Sequence, residues 1–271
     1  ESIAPMSRAR AGRALSQDIA TEIPMRPGAL VQPLLVAGLL LSLGSVNAQT
    51  VHPVSQTGFS FSPANITIDG GDTVRWIWSG GDHTVTEGPG PIPAGGEAFN
   101  SLLAGSVPVF AVKFDTKFLF ENPRPGNVYP YYCIPHFAFN MLGTVTVVSP
   151  WFNDGFALAG TNGDPLLYGN GTLVAGSNAE LVLENAMPNA TVGLFISFAS
   201  IPTPFKGGML CTVPLDSLTI FPIGPSGSVT LPSVIPAGIP SGTPVYWQYA
   251  IQDAGAPKGV ALSNCLRSVF P

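Results

Sequence analysis

The sequence predicts an all-β protein built as two β-sandwiches in series. Only 10% of its 271 residues are charged, while Gly (31) and Pro (28) are abundant and spread along the chain, which suits short strands joined by tight turns. Apolar residues make up 45% of the chain, enough to form ordinary cores in about two domains of ~100 to 200 residues each. Strand-like runs bounded by turn residues recur throughout, and their character changes near residue 150.

Residues 1–24 carry Arg8, Arg10 and Arg13 with no apolar period, and read as an N-terminal extension or a translation artefact outside any fold. Met25 and Arg26 precede an apolar stretch, Pro33 to Val46, that ends in Val46-Asn47-Ala48, a small-residue cleavage site before Gln49. Residues 25–48 are therefore expected to be a signal peptide that sends the protein to the periplasm or the extracellular space. The other reading is an uncleaved membrane anchor, since Gly28 to Val46 has about the length of a short span, although Gln32 and Pro33 interrupt it. Removing residues 1–48 takes Lys plus Arg from 11 to 7 and Asp plus Glu from 16 to 13, so the mature chain carries a net −6. With that acidity and no run of Lys or Arg among aromatics, nucleic acid is not an expected partner.

The first sandwich, residues 49–149, is expected to start with Phe61-Ser62-Pro63 and Ile66-Thr67-Ile68, followed by Gly71-Asp72-Thr73-Val74-Arg75-Trp76 and Asp82-His83-Thr84-Val85. Tyr131-Tyr132-Cys133 then leads into a loop, and Gly143-Thr144-Val145-Thr146-Val147 leads out of it. Two residues separate Cys133 from His136, four separate His136 from Met141, and His83 lies fifty positions before Cys133. Together these residues offer one thiolate, two imidazoles and one thioether, the set that a trigonal His₂Cys copper site with a long axial Met requires. The soft thiolate stabilises Cu(I), the imidazoles serve both oxidation states, and a distant thioether adjusts the potential.

Over about residues 51–148 the chain resembles the plastocyanin-like cupredoxins. The resemblance implies a Greek-key β-sandwich holding one type 1 copper ion on His83, Cys133, His136 and Met141. It also implies that Thr84, just after the first His, tightens the two ligand loops by hydrogen bonding, while Trp78 and Ser79 depart from the polar pair often found there. His52 has no motif partner and is expected to be exposed.

Export favours paired thiols, so three cysteines leave one with another occupation. Cys211 and Cys265 lie in the last 120 residues, away from any His, and are expected to form an intrachain disulfide that leaves Cys133 for the metal. The sequence alone does not fix that pairing, and two free buried thiols are the alternative.

Only three His occur, at 52, 83 and 136. After two are assigned to type 1 copper, the one left cannot build a second catalytic copper centre, so no enzyme activity is expected. The expected role is single-electron transfer outside the cytoplasm. Copper storage or delivery, or a structural adhesion protein using the sandwich as a scaffold, are the alternatives. A redox partner is expected to dock near Pro135, Phe137 and Phe139, with Asp82, Glu87, Glu97, Asp115 and Glu121 available to steer a basic surface.

From residue 150 to 271 a second small antiparallel sandwich of unknown role is expected. Its strand series is read as Gly171–Gly176, Leu181–Ala186, Val192–Phe198, Leu218–Phe221, Val229–Leu231 and Val245–Ile251. With no His beyond 136 it can hold neither a Ser-His-Asp triad nor a His-based zinc site. Asn162-Gly163-Asp164 and Asn170-Gly171-Thr172 fail the EF-hand spacing and read as turns.

Overall fold

The structure, a computed structural model, describes residues 25–33 and 50–271. It is almost wholly β, as the composition predicts, and the chain divides into two compact units, one covering Val46–Ser149 and the other carrying Pro150–Pro271. Met25–Pro33, inside the expected signal segment, forms strand β1, while residues 1–24 and 34–49 lie outside the described residues.

Among its described residues the Val46–Ser149 unit contains nine strands: β2 (Val51–Thr57), β3 (Ser60–Ser62), β4 (Asn65–Asp69), β5 (Thr73–Ile77), β6 (His83–Glu87), β7 (Asn100–Leu103), β8 (Val109–Lys113), β9 (Val128–Tyr132) and β10 (Leu142–Val148). They form a five-stranded sheet in the order β4-β10-β9-β6-β7 and a four-stranded sheet in the order β3-β2-β5-β8. Alternation along β5 sends Val74 and Trp76 inward and Arg75 outward, the period-two pattern of a half-buried strand. Trp76 is completely buried and packs against Phe99, Phe110 and Tyr131. The single α-helix among the described residues of this unit, α1 (Thr116–Glu121), starts where the Asp115 carboxylate accepts the Phe118 N–H.

Two strand pairings position the residues that matter later. β2 runs parallel to β5, which lays Gln56 beside the loop between β5 and β6. β9 and β10 are antiparallel, with Tyr132 opposite Leu142, so the loop from Cys133 to Met141 closes on itself. The same β2–β5 pairing corrects the expectation for His52, which is partly buried with its Nε2 2.8 Å from Asp72 Oδ2.

Glu87, read from the sequence as a surface charge, is buried at the end of β6. Its two oxygens accept from Arg124 at 2.8 and 2.7 Å, and one also accepts the Ala98 N–H. Burial alone would raise the Glu87 pKa, but the Arg124 and Ala98 hydrogen bonds outweigh it and hold the carboxyl below its ordinary 4.5. A depressed folded-state pKa gives stability that is present above the unfolded value and lost as pH falls below about 4.5. Arg124→Ala strands a buried carboxylate and should destabilise this unit by about 3 kcal/mol at neutral pH. Glu87→Gln should flatten the acid limb of its unfolding profile, measured by thermal unfolding between pH 3 and 7.

The Pro150–Pro271 unit holds β11 (Trp151–Asn153), β12 (Leu166–Asn170), β13 (Asn178–Glu184), β14 (Thr191–Ser197), β15 (Thr203–Phe205), β16 (Gly208–Leu210), β17 (Leu215–Pro222), β18 (Val229–Val234), β19 (Pro244–Gln252), β20 (Val260–Leu262) and β21 (Leu266–Val269). The main sheet runs β1-β17-β14-β19-β21-β11, with β20 also paired to β19, and β12-β13-β18 forms a second sheet. Phe195, Leu210, Leu215, Leu218 and Leu262 lie in its core. Cys211 and Cys265 are joined by a disulfide with a Cα–Cα distance of 6.1 Å. One strand expectation fails. Residues 171–176 form a connection between β12 and β13, because Gly171, Leu173 and Gly176 take positive φ of 106°, 60° and 81°, which an extended strand cannot accommodate.

Candidate metal centre

His83 opens β6, and Cys133 and His136 lie in the loop after β9. Together they place three ligand-type atoms at one end of the sandwich. His83 Nδ1 and His136 Nδ1 are 3.1 Å apart, and Cys133 Sγ lies 3.7 Å from the first and 3.3 Å from the second. Atoms spread trigonally around one first-row metal ion at about 2.0–2.3 Å would be roughly 3.5 Å apart, so the spacing fits a shared ion. This is the only group of three or more His, Cys, Asp or Glu side chains among the described residues that is arranged to hold a metal. Met141, fully buried, closes the loop. Its carbonyl accepts the Cys133 N–H at 3.1 Å, and its N–H reaches His136 O at 3.4 Å. Gly143, two residues on, has no room for a side chain, since a Cβ there would lie 2.2 Å from the Tyr131 ring and 2.4 Å from Ala64 O.

The chemistry of each group follows from its surroundings. Burial, and then the neighbouring His136, lower the His83 pKa below its ordinary value, which keeps the ring neutral and its lone pair available. Burial pushes the Cys133 thiol up, an effect partly opposed by the Thr84 N–H, 3.4 Å from Sγ. A buried, soft sulfur of this kind gives up its proton to a cation. Thr84 also ties the two ligand loops together, because its Oγ1 accepts the Ile134 N–H at 2.8 Å.

The outer edge of His136 is covered by an aromatic that sequence reasoning missed. The Phe59 ring lies 4.5 Å from His136 and stacks 4.8 Å from Phe139. Phe59 and Phe139 are 52% and 62% exposed, which makes an apolar surface over the ring. Nothing in the linear sequence signals this contact. Phe137, by contrast, turns its ring to Tyr132 at 5.7 Å.

The family model for copper-binding proteins of the plastocyanin/azurin type matches residues 48–148. Chloroplastic plastocyanin of Tetradesmus obliquus is 33% identical to this chain, covering 41% of the chain and 74% of the plastocyanin. The chain belongs to the plastocyanin/azurin family. Plastocyanin of Scenedesmus fuscus is 30% identical over 32% of this cupredoxin chain and 85% of its own length. Among solved structures, oxidised plastocyanin of Dryopteris crassirhizoma is 28% identical and covers 35% of this chain and 99% of that one, with a TM-score of 0.28. Copper is the cofactor of this family, and the donor set of its cupredoxin unit suits it: thiolate and imidazole are the ligands that serve both Cu(I) and Cu(II).

Proposed function

We propose that this protein is a type 1 copper protein that passes single electrons outside the cytoplasm, with His83, Cys133, His136 and Met141 as the copper ligands. The observation that carries this reading is the convergence of two Nδ1 atoms and one Sγ within 3.1–3.7 Å on two loops that hydrogen bonds hold together. Bound copper supplies one-electron chemistry there. The protein's own part is to keep the ligands still, because a site that does not rearrange between oxidation states exchanges electrons quickly. Thr84 fixes loop to loop, the Met141 backbone closes the second loop, and burial excludes water from Cys133. Four protein ligands leave no position for a substrate.

His136 is the route for electrons, and exposed Pro135, Phe139 and Phe59 around it form the docking face for a redox partner. Removing Phe59 takes away an aromatic contact worth about 0.5–1.5 kcal/mol. Phe59→Ala should therefore speed copper loss about 2- to 10-fold, measured as transfer to a chelator. No helix among the described residues is long and apolar enough to cross a membrane, and the disulfide suits an oxidising compartment. Cleavage after Ala48 would remove β1 and leave β17 as the edge of its sheet. Voltammetry of the copper-loaded chain tests the function: one reversible one-electron wave is expected, and an irreversible or absent wave would overturn the reading.

A further inference from the structure

Charge is unevenly placed in the cupredoxin unit. Residues 50–149 carry seven acids and four bases. The parallel pairing of β2 with β5, together with Ile77 opposite Val109, His83 opposite Leu103 and Tyr132 opposite Leu142, gathers four strand connections at the metal end: 58–59, 78–82, 104–108 and 133–141. Gln56 ties the first two together, its Oε1 accepting the Ser79 N–H at 2.9 Å and its Nε2 donating to Gly58 O at 2.8 Å. Across all four connections the one Asp, Glu, Lys or Arg is Asp82. The surface they present is apolar, with Phe59, Pro135, Ala138 and Phe139 exposed.

The other acids are engaged elsewhere. Asp69 and Asp72 flank the β4–β5 connection, at the opposite end of β5 from the metal. Glu87 accepts from Arg124 and stands four residues beyond His83 on β6, about 13 Å along the strand. Asp115 caps α1 and pairs with Lys113 at 3.3 Å, and Glu121 lies 4.0 Å from Lys117. Glu97 turns back onto the Ala94 and Gly95 N–H groups of its own loop. Exposed charges act over about 8–10 Å at ordinary salt, so little of this acidity reaches the rim of His136. With Cu(I) bound, the Cys133 thiolate is neutralised and the centre adds no net charge.

Resting on the copper reading above, we infer that the metal end receives a redox partner through an uncharged, apolar surface of that partner, and that the chain's net acidity takes no part in the encounter. Charge-steered association loses rate steeply as salt rises, whereas association through apolar contact does not. The test uses the full chain, copper-loaded and reduced, with two one-electron oxidants: hexacyanoferrate(III), a trianion, and tris(phenanthroline)cobalt(III), a trication. Each takes one electron from the protein, Fe(III) or Co(III) falling to the divalent state as Cu(I) becomes Cu(II), and no proton moves. Both rate constants should change less than about 2-fold between about 0.1 and 1 M ionic strength, where the screening length falls from about 10 Å to 3 Å. A larger change in opposite directions, the trication slowing and the trianion quickening, marks a surface made for a basic partner and overturns the inference. Ala138→Glu sets a carboxylate on the docking surface and should make the trication react about 3-fold faster or more at low salt, a gain that high salt removes. An Ala138→Glu without that response places the electron exit elsewhere and overturns the inference too. A second readout needs no copper: hexaamminechromium(III), a redox-inert paramagnetic trication, should leave the NMR signals of residues 58–59 and 133–141 of the metal-free chain no broader than the average. Preferential broadening there overturns the inference while the copper reading stands. A chain that gains no blue colour with copper overturns the copper reading itself, before any oxidant is added.

Discussion

Cys133→Ser should abolish the blue absorption of the copper-loaded protein and lower copper affinity by more than the about 10- to 100-fold that loss of an outer-shell partner costs. The colour of a type 1 site comes from charge transfer between thiolate sulfur and Cu(II), and a hydroxyl offers neither the softness nor the acidity to replace it. Cys133 Sγ is also the atom that Thr84 N–H and both imidazoles face, so the substitution removes the centre of the cluster with little change in volume. The fold should survive, because serine is close to cysteine in size and the fully buried Cys133 is one of many residues in a large apolar core. Absorption spectra and a copper titration of wild type and variant, made side by side with circular dichroism, check all three statements.

The second large effect belongs to the other unit. Cys211 and Cys265 close a loop of 54 residues, and a crosslink of that span lowers the entropy of the unfolded chain enough to stabilise the fold by about 4 kcal/mol. Replacing both with Ser should lower the melting temperature of the Pro150–Pro271 unit by on the order of 10–20 °C. Both half-cystines are fully buried, and the Cys211 N–H donates to Gln248 Oε1, an amide that also bonds Met209 O and Ser263 O. The neighbouring strands therefore keep some order without the bridge. Because the two units have separate cores, the copper absorption of the double variant should be unchanged. Calorimetry on the copper-loaded protein separates the two transitions.

Much of this architecture is written in local sequence. Cys133, His136 and Met141 lie within nine residues between two strands, so one loop brings them together and their spacing could be read directly. His83 was legible because it sits at the start of a strand-like run, Asp82-His83-Thr84-Val85, and few other His compete for the role. Gln56 and Phe59 were not legible. Each reaches the site through strand pairing and turn geometry in space, and a Gln or a Phe in a β-rich chain has many ordinary uses.

The misreadings have the same origin. Residues 171–176 carry strand-like Thr, Leu and Val, but positive φ at three positions decides their conformation. Glu87 looks like a surface acid until Arg124, thirty-seven residues later, is placed against it. His52 looks unpartnered until the parallel pairing of β2 with β5 sets it beside Asp72. Local propensity and motif spacing are readable along the chain, whereas polar partnerships made across sheets are not.

The most direct test of the account is a copper titration of the purified full chain followed by visible absorption. One equivalent of Cu(II) should be taken up with an intense blue colour that reduction bleaches and reoxidation restores. A colourless product, or uptake without a one-to-one end point, would contradict a type 1 centre on His83, Cys133, His136 and Met141.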